Sequence, residues 1–259
     1  MSSIRSPRLS RRSLLLSSVP LAFGPMIAKA EAADTPPPVS FPGQDPEMVR
    51  EMVGVSHSQI ARVKELVALH PSLAKATYDW GFGDFESCID AASHVGNREI
   101  AEFLLANGAR PTIFSAAMLG HLDAVKAYIA DAPGIQKIKG PHSITLMRHA
   151  MAGGDKAKAV VEYLKTVEGA DDRPPAQPLT AADLAKLQGT YEKGIEMKVD
   201  REQLVFSCGG RSPRLIHLGG YEFVPPGAER VRVRFDASAS GVTLTVSDRE
   251  VMLTARRTS

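Results

Sequence analysis

The chain has 259 residues, 44% hydrophobic and 23% charged, which is ordinary globular composition and suits one large or two modest domains rather than a disordered chain. Its net charge of +2 is set by the N-terminus: residues 1–30 carry Arg5, Arg8, Arg11, Arg12 and Lys29 and no acidic residue, so the remainder is slightly acidic. That balance excludes the broad basic footprint of a nucleic-acid binder.

Residues 1–30 start basic, turn apolar from Leu14 to about Ala28 and finish on Ala28-Lys29-Ala30, the layout of an export signal. The apolar run is interrupted by Pro20, Gly24 and Pro25, and it falls short of the roughly 20 residues that span a bilayer. Within it, Ser10-Arg11-Arg12-Ser13-Leu14-Leu15 resembles the twin-arginine signal of bacterial export; the plainer alternative is an ordinary secretory signal. Either implies a periplasmic or secreted protein with no membrane span once the signal is removed. Residues 31–45 follow as a proline-rich tether.

Residues 46–165 have helical periodicity and repeat internally. Four segments align: "SQIARVKELVALHP" from Ser58, "GNREIAEFLLANGA" from Gly96, "GHLDAVKAYIADAP" from Gly120 and "GDKAKAVVEYLKTV" from Gly154. Shorter apolar helices, "SCIDAASHVG", "TIFSAAMLG" and "TLMRHAMAGG", precede three of them. Their arrangement resembles the ankyrin repeat, most clearly at 91–109 and 116–129, and the resemblance implies stacked helix pairs with a recognition surface. The intervals of 38, 24 and 34 residues depart from the family's period of about 33. The long first interval has to accommodate an enlarged finger, and that finger is "TYDWGFGDFES", Thr77 to Ser87.

A linker over 166–178 leads to 179–259, where helical periodicity gives way to alternation: Ile195, Met197, Val199; Val231, Val233, Phe235; Val242, Leu244, Val246; Val251, Leu253, Ala255. Period-two patterns broken by turn residues predict six to eight antiparallel strands. The stretches "LAKLQGTYE" and "LIHLGGYEFVPPG" resemble the small lipocalin-like β domain appended to serine β-lactamase-type hydrolases, which implies an accessory role. The expected fold is therefore a two-domain α+β protein, an ankyrin-like α-helical solenoid followed by a small antiparallel β barrel or twisted sheet.

Catalysis requires a nucleophile, a base and an oxyanion or metal site within mutual reach. None of the common nucleophile, zinc-helix or phosphate-loop motifs occurs, so no catalytic, cofactor or metal residues are assigned. His57, His94, His121, His142 and His149 lie in the helical region, but no two share a helical turn with a carboxylate, and structural hydrogen bonding is the expectation for them. Gly140-Pro141 argues against a helical face shared by His142 and His149. Cys88 and Cys208 read as two small buried residues rather than a bridge. Arg230, Arg232 and Arg234 alternate along one strand, as a solvated face or a protected edge does.

The finger offers the best candidate surface. Gly81 and Gly83 permit a tight turn, and Ser87 or Asp84 can cap the following helix. Tyr78, Trp80, Phe82, Asp84 and Phe85 are the candidate partner-binding residues; the alternative is that its aromatics pack on the neighbouring repeat or on the β region. The sequence reads as an exported binding protein whose partner is another protein, without catalysis of its own. The competing reading is a periplasmic enzyme or enzyme accessory that binds a small ligand at an interdomain cleft or in the β domain.

Overall fold

The structure is a computed structural model and describes residues 43–173 and 175–259. The expected export signal, with Arg11 and Arg12, and the expected tether up to residue 42 lie outside the described residues. Among the described residues no helix is long and apolar enough to cross a membrane.

Helix α1 (Pro46–Val55) starts where the Asp45 carboxylate accepts from the amides of Glu47 and Met48, with proline in the first turn. Helix α2 (Ile60–Leu69) packs beside it, and the finger follows as a hairpin of β1 (Thr77–Asp79) and β2 (Phe85–Ser87). Ser87 caps α3 (Cys88–His94) by accepting from the amide of Asp90. After α4 (Arg98–Ala106), a Thr112–Ser115 capping box opens α5 (Ile113–Leu119). Helices α6 (Leu122–Asp131), α7 (Leu146–Ala152) and α8 (Lys158–Lys165) complete the helical part.

The expected solenoid is corrected by the packing. A solenoid stacks equal units on one continuous core, whereas here the apolar residues form two clusters. Met52, Val63, Leu66, Ile89, Ile100 and Leu104 make one, and Ile113, Val125, Leu146, Val160 and Leu164 make the other. The unequal intervals explain this, because short helices separated by single 3-10 turns at Pro71–Lys75, Ile135–Lys137 and Pro141–Ser143 cannot repeat one geometry.

After helix α9 (Ala181–Leu187) the chain forms eight strands: β3 (Gly189–Tyr191), β4 (Ile195–Asp200), β5 (Gln203–Ser207), β6 (Ile216–Gly219), β7 (Glu222–Val224), β8 (Arg232–Ser238), β9 (Gly241–Asp248) and β10 (Glu250–Arg256). The expected barrel is corrected too. β3-β4-β5 and β10-β9-β8-β7-β6 are separate antiparallel sheets, neither closed. They share a core of Tyr191, Ile195, Met197, Phe206, Phe223, Val233 and Leu244, and meet at the isolated pair Tyr191–Arg257. α+β is the class that stands.

β8 lies inside its sheet, so its arginines do not guard an edge. Arg232 and Arg234 both reach Glu222 on the neighbouring strand, at 3.0 and 2.7 Å. Cys88 is buried and Cys208 exposed, both as free thiols, so only Cys88 fits the buried expectation.

Candidate metal centre

Strand alternation decides what the finger presents on each side. In β2, Phe85 points to solvent at 64% exposure, while Glu86 turns inward and is fully buried. A buried carboxylate is costly unless hydrogen-bonded and paired with positive charge. Glu86 Oε2 accepts from the indole nitrogen of Trp80 at 2.6 Å, and Oε1 faces three imidazoles. Their Nε2 atoms stand 2.9 Å (His94), 3.3 Å (His142) and 3.6 Å (His57) from it. His57 Nε2 and His94 Nε2 are 3.1 Å apart, and the four ligand-type atoms all lie within 4.8 Å of one another.

Each imidazole is fixed by its second nitrogen or by its element. His57 follows α1, and its Nδ1 sits 2.9 Å from the Gly54 carbonyl; a carbonyl only accepts, so Nδ1 carries the proton and Nε2 offers a lone pair to the centre. His94 ends α3. His142 occupies the 3-10 turn after Pro141 with φ 59°, a left-handed conformation that costs a non-glycine residue about 1–3 kcal/mol. Asp84 holds it there: Oδ1 accepts from the His142 backbone amide at 2.9 Å and Oδ2 from Nδ1 at 2.6 Å. This carboxylate–imidazole pair is the usual outer support of a metal-ligating histidine.

The β-rich part closes over this turn. Ser143 Oγ accepts from the Gly227 amide at 2.7 Å and donates to Glu229 at 2.7 Å. Gly227 has φ +81°, and a Cβ there would overlap the Asp84 carboxylate, so only glycine lets the "PPG" loop approach so closely.

Electrostatically, the centre calls for a cation. Burial alone would raise the Glu86 carboxyl and lower the His142 imidazole, but hydrogen bonding outweighs it. Donation from His142 and His94 holds Glu86 down at about 2, and Asp84 with Glu86 lifts His142 to about 9. Without a proton or a metal ion, the His142 Nε2 lone pair would face a carboxylate oxygen at 3.3 Å. His149 stands behind His94, 2.8 Å from Ser93 Oγ through Nδ1; desolvation drives it down to about 3, and its Nε2 has no partner among the described residues.

The spacing fits a metal ion. A tetrahedral ion with ligand bonds of about 2.0–2.1 Å separates its ligands by about 3.3–3.4 Å. Four of the six edges, 2.9, 3.1, 3.3 and 3.6 Å, bracket that value, and the other two, from His142 to His57 and to His94, lie within 4.8 Å.

The expectation of structural hydrogen bonding holds for His57, His94 and His142, whose ring nitrogens also converge on one carboxylate oxygen. It describes His149, and His121 is exposed at the start of α6. Of the finger residues, Tyr78 and Trp80 stack edge to face at 5.0 Å against the helical core. Phe82 packs on Phe206 of the β core, Asp84 is buried, and Phe85 faces solvent. Glu86, one of three finger carboxylates with Asp79 and Asp84, has no metal partner nearby in sequence because its partners lie 8, 29 and 56 residues away. The one signal for it was the inward register of a short strand next to a tryptophan.

The chain matches no protein-family model, no curated protein and no solved structure.

Proposed function

We propose that this protein binds one divalent transition-metal ion of the zinc type through Nε2 of His57, His94 and His142 and Oε1 of Glu86, and that the ion serves as a fastener. The observation that carries this reading is the convergence of three imidazole nitrogens on one carboxylate oxygen at tetrahedral spacing. Imidazole and carboxylate donors without thiolate suit zinc, copper(II) or nickel(II), and tetrahedral spacing favours zinc among them. Four protein ligands fill such a shell, the arrangement of structural or storage sites, whereas catalytic zinc keeps an open position. The ion would tie the α1–α2 turn, the finger, the end of α3 and the His142 turn together. In keeping with the N-terminal signal, we place this work outside the cytoplasm. A protein-contact role for the finger is carried by Phe85, its solvent-facing aromatic.

The test is calorimetric titration of chelator-stripped, dialysed protein with zinc. One ion per chain is expected, with saturable binding lost in both His94→Asn and Glu86→Gln. Absence of saturable uptake, or uptake unchanged in both variants, overturns the reading.

A further inference from the structure

A cavity of about 260 Å³ opens between the finger and the β-rich part. Its walls are mostly apolar, with Phe82, Phe206, Pro226 and Leu253 and the Trp80 ring on one side, while Asp84 and Cys208 also line it. At one end stands Arg211, positioned by the tight turn that pairs Cys208 with Arg211 through Gly209 and Gly210. The guanidinium lies over the Trp80 ring, 5.3 Å from its centroid, and a Cβ on Gly81 would come within 3.5 Å of its Nη1.

This cation has charge nearby but no hydrogen-bond acceptor. Asp84 Oδ2 is 4.0 Å from Arg211 Nη2, beyond hydrogen-bonding range, and both Asp84 oxygens already accept from His142. Among the described residues none accepts a hydrogen bond from the Arg211 side chain. Burial lowers its affinity for a proton, which marks a guanidinium partly stripped of water. A planar, forked cation at the end of an apolar cavity is built to take a carboxylate in two parallel hydrogen bonds.

We infer that this cavity binds a small monocarboxylic acid with an apolar body, its carboxylate on Arg211 and its ring or short chain between Trp80, Phe82, Phe206 and Leu253. Size sets the class: a dry cavity of about 150 Å³ accommodates benzene, so 260 Å³ suits one aromatic ring with a short acidic arm, or an aliphatic acid of similar bulk. A cationic ligand would meet Arg211 with like charge, and an uncharged analogue would offer the guanidinium no charge-assisted hydrogen bond. None of the four proposed metal ligands lines this cavity, although Trp80 and Asp84 belong both to its lining and to the support of Glu86 and His142.

Trp80 is the sole tryptophan of the chain, so its emission reports on the cavity directly. Full-length protein is titrated with phenylacetate, hexanoate, benzyl alcohol and phenethylamine, once with chelator and once with zinc, so that failure of the metal site leaves this result readable. Saturable change is expected with the two acids, with affinity at least about tenfold weaker for the alcohol and the amine, and about tenfold or more lost in Arg211→Gln. Arg211→Lys, which keeps the charge without the fork, is expected to fall between wild type and Arg211→Gln. No saturable response to either acid under both conditions overturns the inference. So does equal affinity for acid and amine, or an Arg211→Gln variant that binds the acids like wild type.

Discussion

Trp80 and Glu86 form the hinge of the site: the indole nitrogen donates to Glu86 Oε2 at 2.6 Å, leaving Oε1 alone to face three imidazoles. The tryptophan of the finger therefore acts inside the molecule, by aiming a carboxylate. Trp80→Phe retains the ring packing and removes the donor, and zinc affinity is expected to fall about 10–100-fold. Competition against a chromophoric chelator measures it, with circular dichroism reporting the fold; unchanged affinity would detach Trp80 from the site.

Asp84 grips His142 through both carboxylate oxygens. Asp84→Asn retains one acceptor and loses the charge, so zinc affinity is again expected to drop about 10–100-fold. Asp84→Ala leaves the left-handed His142 turn without either bond and is expected to lose more. The two variants compared in the same competition assay separate charge from geometry.

Gly227 is where the β-rich part reaches the site. A methyl group there meets the Asp84 carboxylate, and φ +81° is strained for alanine, so Gly227→Ala is expected to destabilise the fold by more than the roughly 1–3 kcal/mol that strain alone costs. Chemical denaturation measures this. The same substitution at Gly194, which has φ +70° with nothing within 4 Å of its added carbon, is the control for backbone strain alone and is expected to cost less.

The metal-free protein has a predictable pH window. His142 is raised from 6.5 to about 9, so its contribution is complete below pH 6.5 and is lost as pH rises through 9. Glu86 is lowered from 4.5 to about 2, so its contribution is complete above pH 4.5 and is lost as pH falls through 2. Metal-free stability from this pair is thus greatest between those limits, near pH 4.5–6.5. Zinc displaces the proton on His142, so the rise in Tm on adding zinc is expected to be larger at pH 8 than at pH 6. Thermal melts at both values, with and without zinc, check this; the opposite order contradicts it.

Much of the scaffold was legible in the sequence. Alternation at Ile195–Val199 and Val242–Val246 marks β4 and β9, and Ser87 caps α3 as its position before an apolar run suggests. The finger is a hairpin where the long repeat interval required one. Less legible was how the units add up, since short helices at unequal intervals give two apolar clusters and the strands split into two sheets. The site was the least legible part. Spacing rules find ligands that share a helical turn, whereas His57, Glu86, His94 and His142 come from a turn after a helix, a strand, a helix end and a left-handed 3-10 turn. Only tertiary packing makes them neighbours.

X-ray absorption at the zinc edge of the zinc-loaded protein tests the central claim most directly. The account predicts a four-coordinate shell of three imidazole nitrogens and one oxygen at about 2.0–2.1 Å. A sulfur ligand, or fewer than three imidazoles in the wild-type spectrum, would contradict it.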